Sequence, residues 1–214
     1  MLYPLVPCRA KGMIWYQGES GELSHEVPDG YYLKEKTLQQ GWQRAFGLDD
    51  FAMYVVQLAN LDGQSNGPTP DKPGSWADVR QMQEMVINLP HGGMASAIDI
   101  GDNRDIHPKD KLAVGERLAL WALKNDYGRT NLVTSGPILN DTVVVKSTTA
   151  YPTRKSIVCG FDFVGAGLMV GSKEPYVAAK QDANGTLQKF VIAGADGVWS
   201  VSYTHLTLPT KRIV

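Results

Sequence analysis

The chain has 214 residues, 43% of them hydrophobic and 20% charged, with a formal net charge of -1. This is the composition of an ordinary globular protein with enough length for a sizeable core, and its charge balance argues against a nucleic-acid partner. No segment approaches the ~18 continuous apolar residues of a membrane span, so no membrane-embedded role is expected.

The opening Met1 to Cys8 has neither the basic end nor the long apolar stretch of a signal peptide. Either the chain is cytoplasmic or its natural beginning lies upstream. Cys8 and Cys159 stand far apart and match no metal spacing, and buried free thiols are expected in preference to a disulfide. Gly12 to Tyr16 is a short apolar run ending in Gln-Gly-Glu-Ser, which reads as a buried strand leading into a polar loop. A buried strand this close to the first residue implies that a preceding element has been lost, because parallel strands are usually shielded on both faces.

Tyr31 to Phe46 has helical apolar spacing, with Leu38, Trp42 and Ala45 on one face. Phe51 to Leu61 reads as a second buried strand, and Gly63 to Gly74, rich in Gly, Pro, Asn and Asp, as a surface loop. A helix is expected from about Trp76 to Leu89, with Val79, Met82, Gln83, Val86 and Leu89 in register. Gly93 to Ile100 is then a third strand. Pro108 suits the first turn of the next helix, which packs through Val114, Leu118 and Trp121 and ends near Tyr127 and Gly128. Strands alternating with amphipathic helices imply a parallel, helix-covered sheet.

From about Leu132 the texture changes to short β-branched runs, Thr142 to Lys146, Lys155 to Phe163, Leu168 to Val170 and Leu187 to Ile192. These predict an antiparallel β region, with Asp182 to Gly185 and Gly194 to Gly197 as hairpin turns. The organisation is thus a partial α/β domain over 1–130, a β region over 131–200 and a tail over 201–214. The tail fits neither pattern, resembles translated adapter sequence and is read as non-native.

Chemistry concentrates in Asp99-Ile-Gly-Asp-Asn-Arg-Asp-Ile-His-Pro108, where a strand gives way to a helix. Ester hydrolysis needs a nucleophile, a base, a group to orient the base and donors for the oxyanion. His107 is the base candidate, and Asp105, Asp102 or Asp99 would orient it; spacing does not choose among them. The alternative is that these aspartates cap the helix near Pro108 while His107 is a surface loop residue. At the end of the first strand, Gln17 offers an amide donor for an oxyanion. Gly18 permits close backbone approach, and Glu19 can hold the loop. A polar connecting loop beneath two aromatics is the plainer reading of that segment.

Together, Lys11-Gly-Met-Ile-Trp-Tyr-Gln-Gly-Glu-Ser20, the Asp99 to Lys111 run and Val114-Gly-Glu-Arg-Leu-Ala-Leu-Trp-Ala-Leu123 resemble the sialate O-acetylesterase family of SGNH hydrolases. The similarity extends over about residues 1 to 200. It implies a flavodoxin-like α/β/α fold and a serine esterase mechanism with no metal or organic cofactor, acting on O-acetyl esters of sialic acid or related glycans. It also suggests a secreted, periplasmic or lysosomal setting. Gln17 matches the family's oxyanion-hole residue and His107 its catalytic histidine. Many relatives place the supporting aspartate three residues before the histidine, but here Arg104 stands there, so Asp105 or Asp102 must substitute. The family's nucleophile lies in a Gly-Gln-Ser-Asn block ahead of the Trp-Tyr-Gln-Gly-Glu motif, and is expected upstream of Met1. Gly63-Gln-Ser-Asn66 repeats that block in the wrong order along the chain, so Ser65 is read as a loop turn and only secondarily as a nucleophile.

Two rivals use the same residues. One is a non-catalytic carbohydrate-binding module with Trp15, Tyr16, Trp76 and Trp199 as stacking platforms. The other is a metal-dependent hydrolase with Asp99, Asp102, Asp105 and His107 as ligands, ranked last because no second histidine stands at ligand spacing. Ser20, Ser75 and Ser96 have no activating context, His91 reads as a turn residue, and His25 lies in a loop where it could line a sugar site but is read as facing water.

Overall fold

The computed structural model of the chain describes residues 3–6, 8–20, 29–61, 76–148, 151–174, 176–182, 185, 191–193 and 199–201. They fall into two units, one of residues 1–134 with 173–179 and the other of residues 135–172 with 180–214.

The first unit is a parallel sheet of β1 (Gly12–Trp15), β2 (Ala52–Val56) and β3 (Gly92–Ala95), with β2 in the centre. Gly12 pairs with Ala52, and Met53 with Gly92. Helices α1 (Gly30–Phe46) and α2 (Trp76–Glu84) make the two crossovers, and α3 (Lys111–Asn125) follows β3. Side-chain alternation along β2 sorts the core into two layers. Ala52, Tyr54 and Val56 pack with Ala95, Val114, Leu118 and Trp121 on the α3 side. Met53 and Val55 pack with Val86, Leu89 and Met94 on the opposite side. The result is an α/β/α arrangement whose central strand is apolar on both faces, as a buried parallel strand requires. Gly93 lets α3 close on the sheet, because a Cβ there would stand 2.7 Å from the Trp121 ring.

Several expectations need correction. β1 is an edge strand among the described residues and only partly buried, with Ile14 65% exposed. β2 and β3 are shorter than their apolar runs, because the chain leaves the ladder while still buried at residues 57–59. The most buried residues of α1 are Tyr31, Glu35 and Gln39, while Leu38 and Trp42 of the expected face pack on the core and on Phe51 but stay partly exposed. Apolar spacing missed the most buried set because two of its three members are polar. In α2 the expected register holds for Val79 and Gln83, and Val86 continues it into the 3-10 turn Met85–Asn88. Helix α3 starts three residues later than Pro108 suggests, and its N-cap is Asp110, whose carboxylate accepts from the Ala113 N–H at 3.2 Å. Asp99, Asp102 and Asp105 therefore do not cap it. Cys8 and Cys159 are free, as expected, but exposed rather than buried.

The second unit contains a long antiparallel hairpin, β4 (Ile138–Thr148) with β5 (Tyr151–Asp162). Two short pairs follow, β6 (Gly171–Ser172) with β7 (Lys180–Gln181), and β8 (Val191–Ala193) with β9 (Trp199–Val201). The expected antiparallel region is present, with six described strands where four runs were read and with the first two longer than their runs. A turn bond from the Gly185 N–H to the Asp182 carbonyl (3.2 Å) stands where one hairpin turn was read. Residues 194–198 and 202–214 lie outside the described residues. Among those described, no helix is long and apolar enough to cross a membrane.

Candidate active site

Both chemical motifs emerge at the carboxyl ends of the parallel strands, the usual location for ligands of such sheets. Gln17 follows β1 and is gripped from two helices. The Tyr31 hydroxyl, from α1, reaches the Gln17 carbonyl at 2.8 Å and its Oε1 at 2.7 Å. Gln83, from α2 and 0% exposed, donates through Nε2 to the Gln17 carbonyl (3.0 Å) and the Val56 carbonyl (3.3 Å). Its Oε1 accepts from the Leu58 N–H at 2.8 Å. One buried amide thus joins the tails of two strands, and every bond it makes is to backbone that would otherwise be orphaned where the ladder ends.

Gly18 is needed because a Cβ would lie 2.8 Å from Gln83 Nε2 and 2.9 Å from Leu58 Cγ. Its close approach is therefore to the protein's own core. Glu19 Oε2 accepts from the Gly18 N–H at 3.0 Å, which holds the loop and occupies that donor.

The second motif follows β3. Asp99 grips Arg117 of α3 in a two-pronged ion pair, at 2.6 and 2.7 Å, and Arg117 also donates to the Ser96 carbonyl at 2.6 Å. Burial pushes the Asp99 carboxyl up, but Arg117 outweighs it and holds the group below the usual range. Asp99 is thereby committed to anchoring the strand end. Asp102 accepts from the Arg104 N–H at 3.0 Å, and its carbonyl accepts from the Asp105 N–H at 3.1 Å. Asp105 is the carboxylate beside the histidine. Its Oδ1 accepts from the His107 N–H at 2.9 Å and stands 3.5 Å from His107 Nδ1. That backbone bond is the main reason its carboxyl lies below its ordinary value, with the His107 ring adding to it. The His107 side chain is 86% exposed, so its ring is open to a ligand.

Two contacts tie the second motif to the rest of the sheet's carboxyl end. Asn60, at the tail of β2, accepts from the Gly101 N–H at 3.0 Å and donates to Asn103 Oδ1. Lys111, at the start of α3, holds its ammonium 4.2 Å from the centroid of the Tyr16 ring, within cation–π range. Behind the histidine loop, Asp110 accepts from Lys173 Nζ and the Tyr176 N–H, both at 3.1 Å, as well as from its own helix.

A family model described as a sialic acid-specific acetylesterase, a carbohydrate esterase, matches residues 5–124. The chain belongs to this sialic acid-specific acetylesterase family. Mouse sialate O-acetylesterase is 33% identical over 152 residues, which are 64% of this chain and 27% of the mouse protein. The human sialate O-acetylesterase is 30% identical over 150 residues, 64% of this chain and 28% of that one. The chain therefore spans little more than a quarter of the curated relatives it matches. A carbohydrate acetylesterase from Xanthomonas citri superposes with a TM-score of 0.75 at 31% identity, covering 97% of this chain and 43% of that structure. The fold is the three-layer α/β/α form of the SGNH esterases, followed by antiparallel strands.

Within this acetylesterase frame, the structure places Gln17, Gly18 and Glu19 on the loop after β1 and Asp102, Asp105 and His107 on the loop after β3, at the same end of the sheet. Ser65 and His25 lie outside the described residues. Asp99 and Asp102 turn to separate partners, and among the described residues no three His, Cys, Asp or Glu side chains gather as a metal site. Sequence reasoning missed Tyr31, Asn60 and Asp110. A signal existed for Asp110, an aspartate directly before the periodic run of α3. Gln83 was noticed only as a residue in helical register, although a polar group there was itself a sign of a buried partner.

Proposed function

We propose that this chain supplies the histidine and oxyanion parts of a sialate O-acetylesterase-like carbohydrate esterase, which hydrolyses O-acetyl esters on sialic acid or related glycans by a serine–histidine route. The observation that carries this reading is an exposed His107 beside the Asp105 carboxylate together with a tethered Gln17 amide, both at the carboxyl end of the same parallel sheet. In the proposed reaction a serine Oγ attacks the acetyl carbonyl and His107 takes its proton. Gln17 donates to the carbonyl oxygen as it becomes negative. His107 then returns the proton to the departing sugar oxygen, leaving an acetyl-serine. Water attacks that ester with its proton again passing to His107, and acetate leaves as the serine is reprotonated. No metal or organic cofactor is required, and Asp105 orients the imidazole.

The family's Gly-Gln-Ser-Asn block belongs ahead of the Trp-Tyr-Gln-Gly-Glu motif, so the nucleophile is assigned upstream of Met1 and Ser65 is given no catalytic role. The 214-residue chain incubated with an O-acetylated sialic acid should release little acetate. A longer reading frame carrying that block should hydrolyse the ester, and His107→Ala in it should lower kcat by roughly 10³-fold or more. Strong labelling of Ser65 by a fluorophosphonate would reverse the assignment of the nucleophile. Loss of no activity in His107→Ala would sink the mechanism.

A further inference from the structure

The side-chain amide of glutamine has nearly the same shape either way round, so its donor and acceptor ends are told apart by the partners each meets. At Gln17 the partner is the Tyr31 hydroxyl, 2.7 Å from the amide oxygen and 2.8 Å from the backbone carbonyl of the same residue. Tyr31 is 4% exposed and sits on the first turn of α1, a rigid element. The Trp15 indole also hydrogen-bonds its oxygen. That indole can only donate, so the hydroxyl proton is turned to the Gln17 acceptors. That proton is shared between two acceptors on one residue, a three-centre bond. Burial, followed by the nearby Glu35, pushes the Tyr31 hydroxyl well above the ordinary tyrosine range, so it remains a donor at every physiological pH.

We infer that Tyr31 is a positioning residue: its hydroxyl locks the Gln17 amide with Oε1 inward and presents the two Nε2 protons as the donor face of the site. This deepens the proposed function and rests on its reading of Gln17 as an oxyanion donor. A free glutamine side chain would spend part of its time with the oxygen outward, which repels an oxyanion, and would also lose rotamer freedom on each turnover. Fixing the amide in advance removes both costs. Among the described residues nothing takes the Nε2 protons, whereas the neighbouring Gly18 N–H is held by Glu19. The donor left pointing away from the fold is therefore the one whose orientation Tyr31 controls.

The test uses the full 214-residue chain with nitrogen-15 in its glutamine side chains, titrated with sodium acetate. Acetate is the product of the proposed reaction, and its carboxylate oxygens imitate the charge of the oxyanion. Gln17→Leu identifies the Gln17 signal. In the unmodified chain acetate should move the Gln17 Nε2 resonances saturably. Tyr31→Phe, which keeps the ring and removes only the hydroxyl, should shift those resonances before any acetate is added and weaken acetate binding roughly tenfold, the loss of one good hydrogen bond. Trp15→Phe removes the indole N–H together with the ring that carries it and should act in the same direction, which preserves the test if Tyr31→Phe does not fold. Unchanged acetate affinity and Gln17 resonances in folded variants would overturn the clamp while leaving Gln17 as a donor. Acetate that never moves the Gln17 signal in the unmodified chain would overturn the donor reading itself, and the clamp with it.

Discussion

Glu35 is the least conventional side chain in the first unit. It is 2% exposed, and neither carboxylate oxygen has a hydrogen-bond partner among the described residues. Burial pushes its carboxyl from 4.5 up to about 8, so the fold holds it neutral at physiological pH. The folded state keeps a proton that the unfolded chain has released. The stability linked to Glu35 is therefore fully present below pH 4.5 and is lost as pH rises through about 8. Glu35→Gln should flatten the fall of Tm across that interval and leave the variant more stable than the original chain on its alkaline side, by a margin on the order of a few kcal/mol. A Tm-versus-pH curve identical in the two proteins would show that Glu35 is paired or solvated. At the same scale, Asp105 and Asp102 are separable. In a serine-bearing longer enzyme, Asp105→Asn should reduce kcat by roughly 10²–10⁴-fold, because among the described residues Asp105 is the carboxylate that reaches the His107 ring. Asp102→Asn should leave kcat within a few-fold, since Asp102 only shapes the turn through the Arg104 N–H.

At the level of elements, β2 is shielded on both faces whereas β1 is not, and substitutions should report that contrast. Trp121 fills the gap over Gly93 and donates through its indole to the Met94 carbonyl at 2.7 Å. Trp121→Ala leaves a cavity between α3 and the sheet and should cost about 3–5 kcal/mol in urea unfolding. Ile14→Lys on β1 should fall within about 0.5 kcal/mol of the original chain, because that side chain is already mostly in water. A large loss at Ile14 would mean that another element covers it. The helix registers were legible where apolar residues carried them, as in α3 through Val114, Leu118 and Trp121. In α1 they were not, because burial there is decided by what Tyr31, Glu35 and Gln39 meet. Gln39 Nε2, for example, donates to the Pro90 carbonyl at 2.9 Å.

Across the whole molecule, the first unit is discontinuous. Residues 173–179 return to it after the β4–β5 hairpin and the β6 strand, and there Lys173 and the Tyr176 N–H meet Asp110 directly behind the histidine loop. The Asp110 side chain is buried at 4% exposure, so its charge needs the cation that this returning segment brings. Lys173→Met should lower Tm by several degrees and shift the backbone resonances of residues 107–113, even though Lys173 is more than sixty residues away in the chain. If those resonances stay in place, the returning segment does not support the loop.

The sequence by itself determined the alternation of strand and helix, the two chemical motifs and the family to which they belong. Those features are local, written in apolar periodicity and in short runs such as Trp15 to Glu19 and Asp105 to Lys111. Only the tertiary structure decided which carboxylate meets His107, which residue caps α3, and how the Gln17 amide is turned. Each of those outcomes depends on a partner distant in sequence: Arg117 removes Asp99 from contention, Lys173 completes Asp110, and Tyr31 with Gln83 holds Gln17. Hydrogen bonds are directional and short, so their pairing is fixed only when packing has brought donor and acceptor within about 3 Å.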